Sequence, residues 1–129
     1  MTLWTFKCYS NDNISDPIGD WYNELPDKAQ AKLDSYLDHF SDNQHNDWGV
    51  ERIKPLVGYD GILEIRFSIN KILYRPLGYF GPKRNEFTFL FPAREQGDKF
   101  VPKSAPTIAK VRMKEIEEGK AFSNECSFY

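Results

Sequence analysis

From Leu63 to Asn70 the chain alternates strictly. Leu63, Ile65, Phe67 and Ile69 are apolar, and Glu64, Arg66, Ser68 and Asn70 are polar. A period of two belongs to a β-strand with one buried and one wet face, so a sheet must organise the fold. The pair Asn70 and Lys71 makes a tight connection into a second strand-like run, Lys71 to Phe80, which carries Arg75. Two neighbouring strands then each hold an arginine near the middle, with Arg66 on the polar face. Pro76 inside the second run favours an edge or a bulge there.

The other elements follow from periodicity and punctuation. Leu3 to Tyr9 reads as a strand, with Trp4, Phe6 and Cys8 on one face and Leu3, Thr5, Lys7 and Tyr9 on the other. A helix then starts at Ser15 or Asp16 as cap, with Pro17 in its first turn, and Ile18, Trp21, Tyr22 and Leu25 fall at helical spacing. Pro26 breaks it and opens a second helix, whose stripe is Ala29, Leu33, Tyr36, Leu37 and Phe40. After the polar stretch SDNQHNDWG, three strands are expected: Ile62 to Asn70, Lys71 to Phe80 and Glu86 to Phe91. The stretch AREQGDKFVPK reads as a loop. The last helix takes Ser104 as cap and Gly119 as stop, with Ala105, Ile108, Ala109, Met113 and Ile116 inside. Residues 1–118 are expected to form one domain and residues 119–129 a tail without periodicity, ending in a disordered Tyr129.

This order segregates helices from strands, so the expected class is α+β: a small, mainly antiparallel sheet with an N-terminal helix hairpin and a C-terminal helix. The helices are expected to cover one face of the sheet and leave the other partly free. With 129 residues, three Trp, seven Tyr and ten Phe, one aromatic core suffices without metals or bridges. Cys8 and Cys126 lie far apart with no CxxC spacing, and read as free cytosolic thiols rather than a bridge or a ligand pair. No apolar run reaches the roughly 20 residues of a membrane span, and the first ten residues do not resemble a signal peptide. A soluble, cytoplasmic protein is expected.

The net charge of −2 hides an uneven distribution. Residues 1–60 carry −6, residues 61–114 carry +7 and the last fifteen carry −3. A basic middle between acidic ends suits a polyanion as partner. Walker and GxGxxG patterns are absent, as are nucleophile signatures, and neither His39 nor His45 has metal-ligand spacing. The remaining constellation is Arg66, Arg75, Arg94, Lys99 and Lys103. A guanidinium matches two phosphate oxygens at once and stabilises charge developing at a phosphodiester. The competing reading pairs Arg66 with Glu64 on its own strand.

The stretches GDWYNELPDKAQAKLDSYLDHF, LVGYDGILEIRFSINKILYRPLGYF and FTFLFPAREQGDKFVPKSAPTIAKVRMKEIEEG resemble the RelE/ParE superfamily of bacterial toxins, in its HigB-like, phage-derived Gp49-like branch. The resemblance rests on the LP turn of the helix hairpin, Leu56 and Gly58, Glu64 to Arg66, Tyr74 with Arg75, the FLF strand, and Ala109 with Arg112. It implies a RelE-like fold and the toxin of a type II toxin–antitoxin module. Such a toxin is a metal-independent endoribonuclease (an mRNA interferase) that cuts mRNA on the ribosome through the RNA 2′-hydroxyl. Arg66 and Arg75 would be catalytic, and Arg94, Lys99 and Lys103 would bind RNA phosphates. No cofactor is implied, and the partners would be mRNA, the ribosome and a neighbouring helix-turn-helix antitoxin. With no histidine in the sheet half, the general base falls to Lys, Tyr or Glu. Inhibition of DNA gyrase in the ParE manner, or a degenerate non-catalytic binding protein, are the alternatives.

Overall fold

The computed structural model describes residues 2–129. It opens with β1 (Thr5–Ser10), followed by α1 (Pro17–Glu24) and α2 (Asp27–Ser41). Asp16 caps α1, its carboxylate accepting from the Gly19 N–H at 3.1 Å. Pro26 ends one helix and stands at the cap position of the next, where Asp27 complements the helix dipole. A short 3-10 turn at His45–Asp47 leads to β2 (Ile53–Pro55).

Next come β3 (Leu63–Ile65), β4 (Phe67–Ile69), β5 (Ile72–Tyr74) and β6 (Leu77–Phe80). The two long strands expected here are thus four short ones. The breaks fall at Arg66 and at Arg75–Pro76. Asn70 and Lys71 both take positive φ, 53° and 67°, which is the geometry of a two-residue hairpin turn. The register between β6 and its neighbour shifts at Leu77/Gly78, just beyond Pro76. The chain continues through β7 (Glu86–Phe91), β8 (Arg94–Gln96), β9 (Lys99–Val101), α3 (Ala105–Glu117) and β10 (Phe122–Glu125).

The strands form two sheets, one ordered β10-β1-β7-β6-β3-β2 and the other β4-β5-β8-β9. All pairs are antiparallel except β1 with β7. The class is α+β, as the order of elements implies. The stretch AREQGDKFVPK, expected as a loop, contains the β8–β9 hairpin. Its three-residue strands are too short and too charged to show a period.

Both faces of the larger sheet are covered, which corrects the expectation of a free face. Phe6 and Cys8 of β1 and Phe87 and Phe89 of β7 pack with Ile18, Leu33, Leu37 and Phe40 of the helix hairpin. Tyr9, Leu77, Tyr79 and Leu90 meet Ala105, Ala109, Met113 and Ile116 of α3 on the opposite face. Trp48, within the stretch read as a polar loop, is fully buried. Its ring stacks on Phe40 with centroids 4.5 Å apart, and its indole N–H donates to the Asn43 carbonyl at 2.9 Å. Ser104 stands at the cap position of α3, but its side chain makes no capping bond.

Cys8 and Cys126 are bridged, a correction to the free thiols expected from their spacing. The antiparallel pairing of β10 with β1 brings the ends of the chain together. Closing so long a loop removes roughly 4–5 kcal/mol of unfolded-state entropy in the chain-entropy model. Residues 119–129 therefore belong to the domain rather than forming a separate tail. Tyr129 is held too: its hydroxyl donates to Asp38 at 2.8 Å and its ring meets Phe6 edge-on. Bridges persist in oxidising compartments, so a cytosolic address no longer follows from the cysteines. No helix among the described residues is long and apolar enough to cross a membrane.

Candidate functional site

The strand breaks at Arg66 and Arg75 put both residues where the chain passes from one sheet to the other. Their backbones are fixed there, the Arg66 N–H donating to the Arg52 carbonyl at 2.7 Å and that of Arg75 to the Ala93 carbonyl at 2.8 Å. Both side chains converge on one carboxylate. Glu64, only 2% exposed, accepts from a terminal nitrogen of Arg66 at 3.1 Å and from Nε of Arg75 at 2.7 Å. A terminal nitrogen of Arg75 also pairs with Glu64 at 2.5 Å. Lys54, opposite Glu64 in β2, brings its ammonium to 4.0 Å.

The two arginines are not equivalent. Arg75 is 11% exposed and holds Glu95 at 3.1 Å as well as Glu64. Its guanidinium lies 3.7 Å from the centre of the Phe100 ring, a stacked cation–π contact. It is committed on every side, and it ties the β8–β9 hairpin to the larger sheet. Arg66 is 25% exposed and makes one ion pair. A guanidinium has five N–H donors, so most of those on Arg66 remain open to a ligand. Glu64 and Glu95 face Lys54, Arg66 and Arg75, leaving the cluster one positive charge in excess.

The other cations expected at the site are placed differently. Successive side chains of a strand point to opposite sides. Glu95, opposite Phe100, turns toward Arg75, so Arg94, opposite Tyr74, turns the other way. Lys99, opposite Gln96, shares the side of Arg94. The structure therefore brings Arg66 and Arg75 together and puts Arg94 and Lys99 on the reverse of the small sheet. Lys103 is exposed in the turn before α3.

Sequence reasoning missed Lys54, Glu95 and Phe100 as members of the cluster. The pairing of Glu64 with Arg66 was legible from their i, i+2 spacing. Arg112, part of the RelE-like pattern, lies elsewhere: it donates to the Leu90 carbonyl at 2.9 Å beside the Tyr9 and Phe91 rings, and burial pushes its pKa down. His39 binds the Asp47 carbonyl and His45 lies against the Phe80 ring, both apart from the arginines. Among the described residues, no group of three or more His, Cys, Asp or Glu side chains is arranged to hold a metal ion. Compared with protein-family models, curated proteins and solved structures, the chain matches none.

Proposed function

We propose that this chain is an RNA-directed toxin of the RelE/HigB-like kind, an endoribonuclease that contacts the scissile phosphate through the Arg66–Arg75 corner. The observation that supports this reading is the convergence of the two arginines on Glu64, with Arg66 alone keeping open donors. In this reading Arg66 is the catalytic guanidinium. It binds the phosphate oxygens and stabilises their charge as the 2′-hydroxyl attacks phosphorus and the 5′-oxygen leaves. Arg75 is a positioning residue: it holds Glu64, which orients Arg66 from the other side. Glu64, Lys54 and Glu95 are the groups of the cluster able to carry a proton. Arg94 and Lys99 serve a different stretch of RNA backbone, since they face the other way. The target would be ribosome-bound mRNA in the cytoplasm, and a helix-turn-helix antitoxin encoded alongside would restrain the toxin.

A second reading is favoured by the ion pairs and by the Cys8–Cys126 bridge. Here the arginines are structural, and the chain is a non-catalytic binding protein of an oxidising compartment. Induced expression in bacteria separates the two. The toxin reading predicts growth arrest, relieved by the neighbouring antitoxin, with cuts mapping to translated mRNA. Normal growth with abundant folded protein overturns it. Arrest with intact mRNA and inhibited supercoiling would instead indicate gyrase as the target.

A further inference from the structure

A cleft of about 730 Å³ opens between α3 and the β3 and β6 strands of the larger sheet, a size typical of small-molecule sites. Ile62, Leu63, Met113 and Ile116 give it apolar walls, and Tyr79 also lines it. Glu117 is the one charged residue in the lining. It is exposed and enters no ion pair among the described residues.

Tyr79 supplies an independent observation. The residue is 5% exposed, and its hydroxyl is the one buried side-chain polar atom without a hydrogen-bond partner among the described residues. Buried polar groups are nearly always satisfied, so an orphan calls for a specific reason. Burial foremost, then the charges of Glu117 and Glu86, push its pKa up to about 12. The hydroxyl thus stays neutral and sits in a field set by two carboxylates. An anion is disfavoured in that field, and a cation is favoured.

We propose that this cleft binds a small apolar molecule ending in a protonated amine, its body against Met113, Ile116 and Leu63 and its ammonium at Glu117. The ammonium has three donors. One meets the Glu117 carboxylate, and the others face solvent at the mouth of the cleft. The site is separate from the arginine corner, and the proposal is independent of the RNA reading.

The test uses two probes with the same body and opposite heads, 4-phenylbutylamine and 4-phenylbutyrate. Each is titrated into the full chain while the methyl signals of Ile62, Met113 and Ile116 are followed by NMR. The amine is expected to shift these methyls and to bind about tenfold more tightly than the acid, the size of one charge-assisted hydrogen bond. Glu117→Gln, at an exposed position, should keep the fold and remove most of that difference. Equal affinity for the two probes, amine binding untouched by Glu117→Gln, or no methyl shift at millimolar amine would each overturn the proposal.

Discussion

The two sheets are held in different proportions by apolar burial and ion pairs. The six-stranded sheet is enclosed by helices on both faces, and its inward residues, Phe87, Phe89, Leu77 and Leu90 among them, are fully buried. The four-stranded sheet consists of three-residue strands. Its β4–β5 end adds Phe67 and Tyr74 to the core beneath the helix hairpin, while its β8–β9 hairpin is tied in by the Arg75 ion pairs to Glu64 and Glu95. Apolar burial scales with area and tolerates imprecise geometry, whereas a buried ion pair depends on its partners being present. The difference teaches where to look for function. The exposed donors of Arg66 stand at the seam between the two kinds of structure.

If that contrast is right, the largest loss of stability comes from the enclosed sheet. Phe89→Ala should destabilise the whole protein by about 4 kcal/mol, as large-to-small core changes do, read from denaturant unfolding. Glu64→Gln should cost somewhat less, roughly 3 kcal/mol, because it leaves the buried Arg75 with Glu95 as its one counter-charge. Its effect should be local, with amide exchange rising in β8 and β9 first and the large sheet remaining protected. Uniform loss of protection in Glu64→Gln would show that the seam is not a separate unit.

The smallest effect tests the charge map. Asp34 and Asp38 are poor probes, since they accept hydrogen bonds from Tyr22 and Tyr129. Asp27 and Asp42 are exposed at the two ends of α2. Asp27→Lys with Asp42→Lys should change stability by under about 1 kcal/mol and leave RNA affinity at 0.15 M salt nearly constant, because distant surface charges are screened. A rise in RNA affinity of tenfold or more would place these positions beside the bound polyanion.

The same contrast explains what the sequence made legible. The stripes of α1, α2 and α3 could be read because burial on one side imposes a period; the alternation of β1 and β3–β4 reads as one wet face, but Tyr9 and Glu64 on that side are buried too. The β8–β9 hairpin could not, since three residues of mixed charge carry none. Trp48 was hidden by polar neighbours, and the Cys8–Cys126 bridge by a sequence separation of 118 that only the β1–β10 pairing closes. At the site, the sequence marked Arg66 and Arg75 and raised Glu64 as a partner. It did not reveal that Arg75 is saturated, because Glu95 and Phe100 arrive from the hairpin that was read as a loop. Nor did it separate Arg94 and Lys99 from Arg66, since that depends on the register of pairing.

The central claim is a division of labour at the corner: Arg66 binds phosphate, and Arg75 holds the seam. The most direct measurement is the RNA-cleaving activity of Arg66→Ala and Arg66→Lys beside their thermal melts, with Arg75→Ala as the contrast. The account predicts that Arg66→Ala melts within a few degrees of the wild type but loses activity about a hundredfold or more, the worth of one donor aimed at transition-state charge. Arg66→Lys, which keeps the charge and loses the fork, should recover little. Arg75→Ala should lower the melting temperature markedly. Full activity in a folded Arg66→Ala, or a melt as low as that of Arg75→Ala, would contradict the account and leave Arg66 a structural partner of Glu64.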